Sequence, residues 1–99
     1  MSTTTNHFNQ LSESEAERLS ILMEECAEVI QIIGKIQRHG LHSTHPNGGP
    51  TNRMLLEKEI GHVYNAVDML SLEDISYAGL MASCHAKADS IKPYLHHQQ

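Results

Sequence analysis

From Ser12 to about Arg38, apolar residues recur at helical spacing with no proline among them, and Gly34 is the only weak point. A run this long constrains the whole chain, because an amphipathic helix must bury its apolar face against something. That something is not a sheet. Period-two alternation is absent, and Val, Ile and the aromatic residues recur at helical spacing instead. Ser12 is placed to cap the helix, with Glu15 three residues on to complete a capping box. His39-Gly40 ends it.

The segment HGLHSTHPNGGPT, His39 to Thr51, has two proline-adjacent turns and a Gly-Gly pair, so it reads as a loop. A second helix is expected from near Asn52 to about Leu70. Ser71 is then expected to cap a third, with Asp74 at the capping-box position and Glu73 in its first turn. Pro93 stops that helix at about Lys92.

The chain has 99 residues, enough for one domain. Residues 1–11 read as a flexible lead, 12–95 as a single all-α domain, and 96–99 as a polar tail. Three helices of this length bury their faces poorly alone. The expected fold is a short helical bundle completed by oligomerisation, as a homodimer or homotetramer. With no Trp and a single Phe, its core should be aliphatic.

A net charge of −5 excludes binding to DNA or RNA polymers by phosphate neutralisation. A nucleotide ligand remains open, because a metal can supply positive charge. Cys26 and Cys84 lack CxxC spacing. They read as buried thiols in a reducing cytosol rather than a disulfide framework. The first ten residues have no apolar signal core, and no stretch approaches the ~20 apolar residues that span a bilayer. A cytoplasmic protein without a membrane partner is therefore expected.

The chemistry-bearing residues stand out against the helical period. On the first helix, Leu22, Cys26, Val29, Ile33 and Ile36 form the main apolar stripe. Beside it run Ile21, Glu25, Glu28 and Ile32 at i, i+4, i+7 and i+11, so two carboxylates sit between isoleucines. Glu24 lies further round, nearer solvent. On the second helix, Leu56, Ile60, Val63, Val67 and Leu70 form the main stripe. Beside it run Leu55, Glu59, His62 and Ala66 at the same spacing.

If the two helices pack antiparallel, three carboxylates and an imidazole share one site. Burying like charges together requires a cation or protons. The spacing alone leaves two readings open: a solvated acidic face, or a divalent cation held by oxygen ligands.

These residues carry a resemblance. Glu24-Glu25-Cys26-Ala27-Glu28 fits the pattern Glu-Glu-x-x-Glu, and Glu59-Ile60-Gly61-His62 fits Glu-x-x-Asp except at its last position. Over about Leu19 to Leu70 the chain resembles the MazG-like all-α nucleoside triphosphate pyrophosphohydrolases. That family consists of helical bundles, usually dimers or dimers of dimers. They cleave a nucleoside triphosphate to the monophosphate and pyrophosphate with Mg²⁺ or Mn²⁺.

The resemblance implies metal ligands at Glu25, Glu28 and Glu59. It implies a further ligand, or a positioner of the attacking water, at Glu24. His62 stands where the family has Asp. An imidazole offers one nitrogen for two oxygens, which disfavours Mg²⁺ and suits Mn²⁺ or another transition metal. It must be neutral to ligate, so acid weakens it. Asp68, six residues on, lies about 9 Å along the axis on another face.

The family often holds phosphates with a basic residue after the second motif, which here points to Lys87, with Lys92 behind it. Asn65 is placed to contact a ribose or base, or to make an interhelical hydrogen bond. His39, His42 and His45 read as a mobile segment or lid. Two functions compete. One is a metal-dependent nucleotide pyrophosphohydrolase. The other is a non-catalytic helical module that binds metal or nucleotide as a sensor, or assembles with a partner.

Overall fold

A computed structural model of the chain describes residues 8–70 and 72–98. It contains three α-helices: α1 (Glu13–His39), α2 (Asn52–Met69) and α3 (Tyr77–Ser90). A short 3-10 turn, Lys92–Tyr94, follows. No strand occurs among the described residues. None of the helices described is long and apolar enough to cross a membrane. Most of the lead expected over residues 1–11 lies outside the described residues.

The first two helices begin where the sequence places them. The Ser12 hydroxyl accepts from the Glu15 backbone N–H at 3.1 Å, and the Glu15 carboxylate accepts from the Ser12 N–H at 2.8 Å. Two of the orphan donors at the start of α1 are thereby satisfied. Thr51 caps α2 through its hydroxyl, which accepts from the Met54 N–H at 3.2 Å.

Backbone hydrogen bonds tie together the two ends of the loop between α1 and α2. The N–H groups of Asn52 and Arg53 donate to the carbonyls of Ser43 and Leu41, and Thr44 bridges to Thr51. Buried Asn52 adds a side-chain bond to the Gly40 carbonyl at 3.1 Å. Gly48 and Gly49 take φ of 91° and 107°, a left-handed geometry that L side chains avoid. The loop thus folds α2 back antiparallel along α1.

The expected start of the third helix is corrected. Ser71 lies outside the described residues, and the helix begins only at Tyr77. Ser76 caps it, accepting from the Gly79 N–H at 3.1 Å. Asp74 is not in a first helical turn, because its carboxylate is drawn to α1. Arg18 Nε donates to Asp74 Oδ2 at 2.8 Å, and Arg18 Nη2 to Oδ1 at 3.2 Å, a two-pronged pair over a side chain only 5% exposed. The bond to Asp74 holds the Arg18 guanidinium above its ordinary pKa. Beyond this anchor, α3 packs against neither α1 nor α2. The radius of gyration is 17.9 Å, against about 13 Å for a compact chain of this length.

With α3 apart, the core is the α1–α2 seam. Its buried apolar residues are Ile32 and Ala66, and both belong to the carboxylate-bearing stripes. The stripes expected to form the main core are only partly covered: Cys26, Ile33 and Ile60 are exposed. A two-helix pair covers one face of each helix, and here the shared faces are the ones that carry the charges. Cys26, expected to be buried, is exposed for the same reason, and Cys84, also expected to be buried, is exposed because α3 packs on neither helix. Gly61 serves no close approach within the chain, since a Cβ there would meet nothing within 4 Å.

Ile32 is therefore the main apolar contact holding the seam. Replacing it with Ala should destabilise the chain by about 3 kcal/mol, measured by urea denaturation. A loss below about 1 kcal/mol would mean the seam is not the core.

Candidate metal centre

The antiparallel register matches the two interrupted stripes position by position. Glu25 lies against His62 and Glu28 against Glu59. Ile32 and Leu55 meet at one end of the seam, lining one cavity. The same register sets Ile21 opposite Ala66 at the other. Four polar side chains thus sit between two apolar rungs. One ligand atom from each of Glu25, Glu28, Glu59 and His62 lies within 4.8 Å of all the others. Donors around a single divalent ion, at roughly 2.0–2.6 Å each, span about that distance.

His62 Nδ1 is 3.1 Å from Glu25 Oε2 and 3.2 Å from Glu59 Oε1. Those two oxygens are buried, yet neither has a hydrogen-bond partner. The imidazole is close enough for an ion pair, but its direction satisfies neither oxygen as a hydrogen bond. Leaving a buried acceptor unpaired costs about 1–3 kcal/mol. Both unpaired oxygens lie beside the same imidazole nitrogen. The Glu25 and Glu59 side chains are 19% and 13% exposed, and that of His62 is 50% exposed, so the imidazole forms the open side. The donor set, oxygen plus one nitrogen, fits Mn²⁺ or another first-row transition ion better than Mg²⁺.

Glu28 is held protonated to a higher pH than an ordinary carboxylate. The main cause is its hydrogen bond with Glu59, followed by the Glu59 charge and burial, while His62 and Lys58 pull the other way. The neighbouring Glu59 charge makes ionising Glu28 costlier.

The other expected site residues are less involved. Glu24 is exposed at the rim, one residue before Glu25. Asn65 is exposed, and its amide contacts Met69 Sδ at 3.8 Å rather than the cluster. Lys87 and Lys92 lie beyond the α2–α3 linker. Because α3 does not pack on α1 or α2, neither is brought to the site within one chain. His39, His42 and His45 form no ligand cluster among the described residues.

The structure also shows basic residues that the motifs passed over. Lys35, Arg38 and Lys58 line a cavity of about 410 Å³ whose wall includes Glu28 and Glu59. A spacing signal existed for Lys35, which lies two turns beyond Glu28 on the same side of α1.

No protein-family model, curated protein or solved structure matches the chain. The site is therefore read from its own residues.

Linkage gives a test of the Glu28–Glu59 contact. Glu28 binds its proton more tightly in the folded chain than in the unfolded one. That stabilisation is complete below the ordinary Glu pKa of about 4.3 and is lost as pH rises through the raised folded value. Above that raised value the metal-free chain lacks it. Metal-free Glu28→Gln should melt at a higher temperature than the parent near pH 7, with the gap closing toward pH 4. Mn²⁺ should raise the parent's midpoint but hardly move the variant's. A Glu28→Gln midpoint below the parent's at neutral pH would count against the contact.

Proposed function

We propose that the chain is a metal-dependent nucleoside triphosphate pyrophosphohydrolase of the MazG-like kind, working as a homo-oligomer in nucleotide-pool control. The observation that carries this reading is the convergence of Glu25 Oε2, Glu59 Oε1 and His62 Nδ1, the two oxygens buried and without hydrogen-bond partners. Glu25, Glu28, Glu59 and His62 would hold the ion. When bound, it supplies polarisation of phosphate oxygens and a more acidic water.

The chain's own groups do the rest. The seam fixes the three carboxylates so that little reorganisation accompanies the reaction. Glu24 stands at the solvent rim, where it orients the attacking water and takes its proton. Water attacks the α-phosphorus, the bond to the α–β bridging oxygen breaks, and pyrophosphate leaves with the bridging oxygen's electron pair. His62 sets the metal preference. It removes one negative charge relative to Asp and favours Mn²⁺.

The oligomer follows from what one chain leaves uncovered. Leu19, Met23, Cys26, Ile30 and Ile33 recur at i, i+4, i+7, i+11 and i+14 along α1, and all are exposed. That is the seam pattern of one helix packing on another. Ile60 and Tyr64 of α2 are exposed on the same side of the hairpin. A second copy offers the same stripe, so a two-fold pairing covers both at once. Ile30→Glu should dissociate the assembly in sedimentation velocity. Monomeric parent protein at tens of micromolar would contradict the pairing.

The activity test is direct. The full chain is incubated with canonical and modified nucleoside triphosphates, with Mg²⁺ and then Mn²⁺, and pyrophosphate is measured against orthophosphate. Pyrophosphate release should be faster with Mn²⁺, fall to background in Glu25→Ala, and shift toward Mg²⁺ in His62→Asp. If neither the parent nor His62→Asp releases pyrophosphate with any metal, the enzyme reading fails and a non-catalytic binding module replaces it.

A further inference from the structure

The chain has seven Lys and Arg residues. Three of them, Arg18, Arg53 and Lys92, are paired with Asp74, Glu57 and Asp89. Three others, Lys35, Arg38 and Lys58, line a single cavity and make no ion pair among the described residues. Three of the four Lys and Arg residues without an ion pair among the described residues thus lie in one groove, and the fourth, Lys87, is on α3.

All three are exposed, and their like charges share one groove. Lys35 and Arg38 are neighbours at i, i+3 on α1, a like-charge spacing that weakens a helix. Lys58 faces the same space from α2. The Arg38 guanidinium lies back over Gly34, where Nη1 is 3.6 Å from the position a Cβ would take. It therefore points toward the carboxylate end of the groove. Glu28 and Glu59 close that end, and the field of Lys58 reaches Glu28.

The cavity of about 410 Å³ falls within the usual range for small-molecule sites, roughly 300–1,000 Å³. Beyond Lys35 and Arg38 it adjoins a second cavity, of about 490 Å³, under the α1–α2 loop. The groove therefore extends past what a lone phosphate would fill.

We propose that Lys35, Arg38 and Lys58 form a polyphosphate subsite that holds the phosphate chain of the substrate against the metal centre. This rests on the reading of the carboxylate cluster as a metal site and specifies its substrate class. The charges complement one another. With a divalent ion bound, three ionised carboxylates keep about one net negative charge, and the anionic chain still needs cations. The trio supplies them at the groove's other end. Arg38 contributes a fork that matches two phosphate oxygens, while the lysines act as point charges. The sequence motif had directed attention to Lys87 instead, which α3 carries away from this groove.

The test is calorimetric titration of the full chain with sodium tripolyphosphate at low salt, once in EDTA and once with Mn²⁺. Mn²⁺ binding is measured separately. The parent should bind tripolyphosphate in both conditions, more tightly with Mn²⁺. Lys35→Ala and Arg38→Ala should each weaken binding about tenfold, equivalent to about 1.4 kcal/mol, and leave Mn²⁺ affinity unchanged. Arg53→Ala, away from the groove, should change nothing. Glu28→Gln should tighten metal-free binding, because it removes a repelling carboxylate.

The proposal is overturned if the parent does not bind tripolyphosphate. It is also overturned if the trio variants, with helix content intact by circular dichroism, bind within twofold of the parent, or if Arg53→Ala weakens binding as much as Arg38→Ala. The metal reading is judged separately. If Mn²⁺ fails to bind but the trio variants still lose tripolyphosphate, the subsite stands and the metal centre falls.

Discussion

Packing three half-buried carboxylates between two helices is unfavourable unless a cation or protons offset their repulsion. That constraint governs the rest of this chain. Glu25, Glu28 and Glu59 sit in the α1–α2 seam, and the seam holds the buried apolar residues Ile32 and Ala66. Beside Glu59, Glu28 holds its proton to a higher pH than an ordinary carboxylate. The His62 imidazole approaches two of the carboxylate oxygens without satisfying either. A divalent ion would meet all of these demands at once, and the fold would gain stability on binding it.

The same arrangement explains why so little else is buried. The α1–α2 pair uses its inner faces for the polar rungs, so its larger apolar stripes stay outside. On one side of the hairpin, Leu19, Met23, Ile30 and Ile33 form an open apolar face. On another side, the Glu28–Glu59 end of the carboxylate cluster borders the cavity lined by Lys35, Arg38 and Lys58. The hairpin thus separates a face suited to a second copy from a groove suited to an anion. Covering the first would leave the second accessible.

Much of this was legible in the sequence. The Ser12–Glu15 capping box, the loop ended by Thr51, and the two matching stripes each have local causes. Spacing alone paired Glu25 and Glu28 with Glu59 and His62, because the i, i+4, i+7, i+11 pattern is the same on both helices. What the sequence hid was tertiary. Asp74 looks like a first-turn residue until Arg18, far away in sequence, claims its carboxylate, and the third helix then starts at Ser76 rather than Ser71. The larger apolar stripe of α1 looks like the core until the register shows that the mixed stripe faces α2. Lys35, Arg38 and Lys58 belong to no motif, and only the folded hairpin brings them to one cavity. Lys87 is singled out by the family resemblance alone, and its helix packs on neither α1 nor α2.

The central claim is that one ion is held jointly by α1 and α2, with His62 as a direct ligand. Pulsed electron paramagnetic resonance of the Mn²⁺-loaded chain tests it most directly. The account predicts a nitrogen coupling typical of a directly bound imidazole, lost in His62→Asp while Mn²⁺ remains bound. A spectrum without nitrogen coupling in the parent, or one unchanged by that substitution, would contradict it.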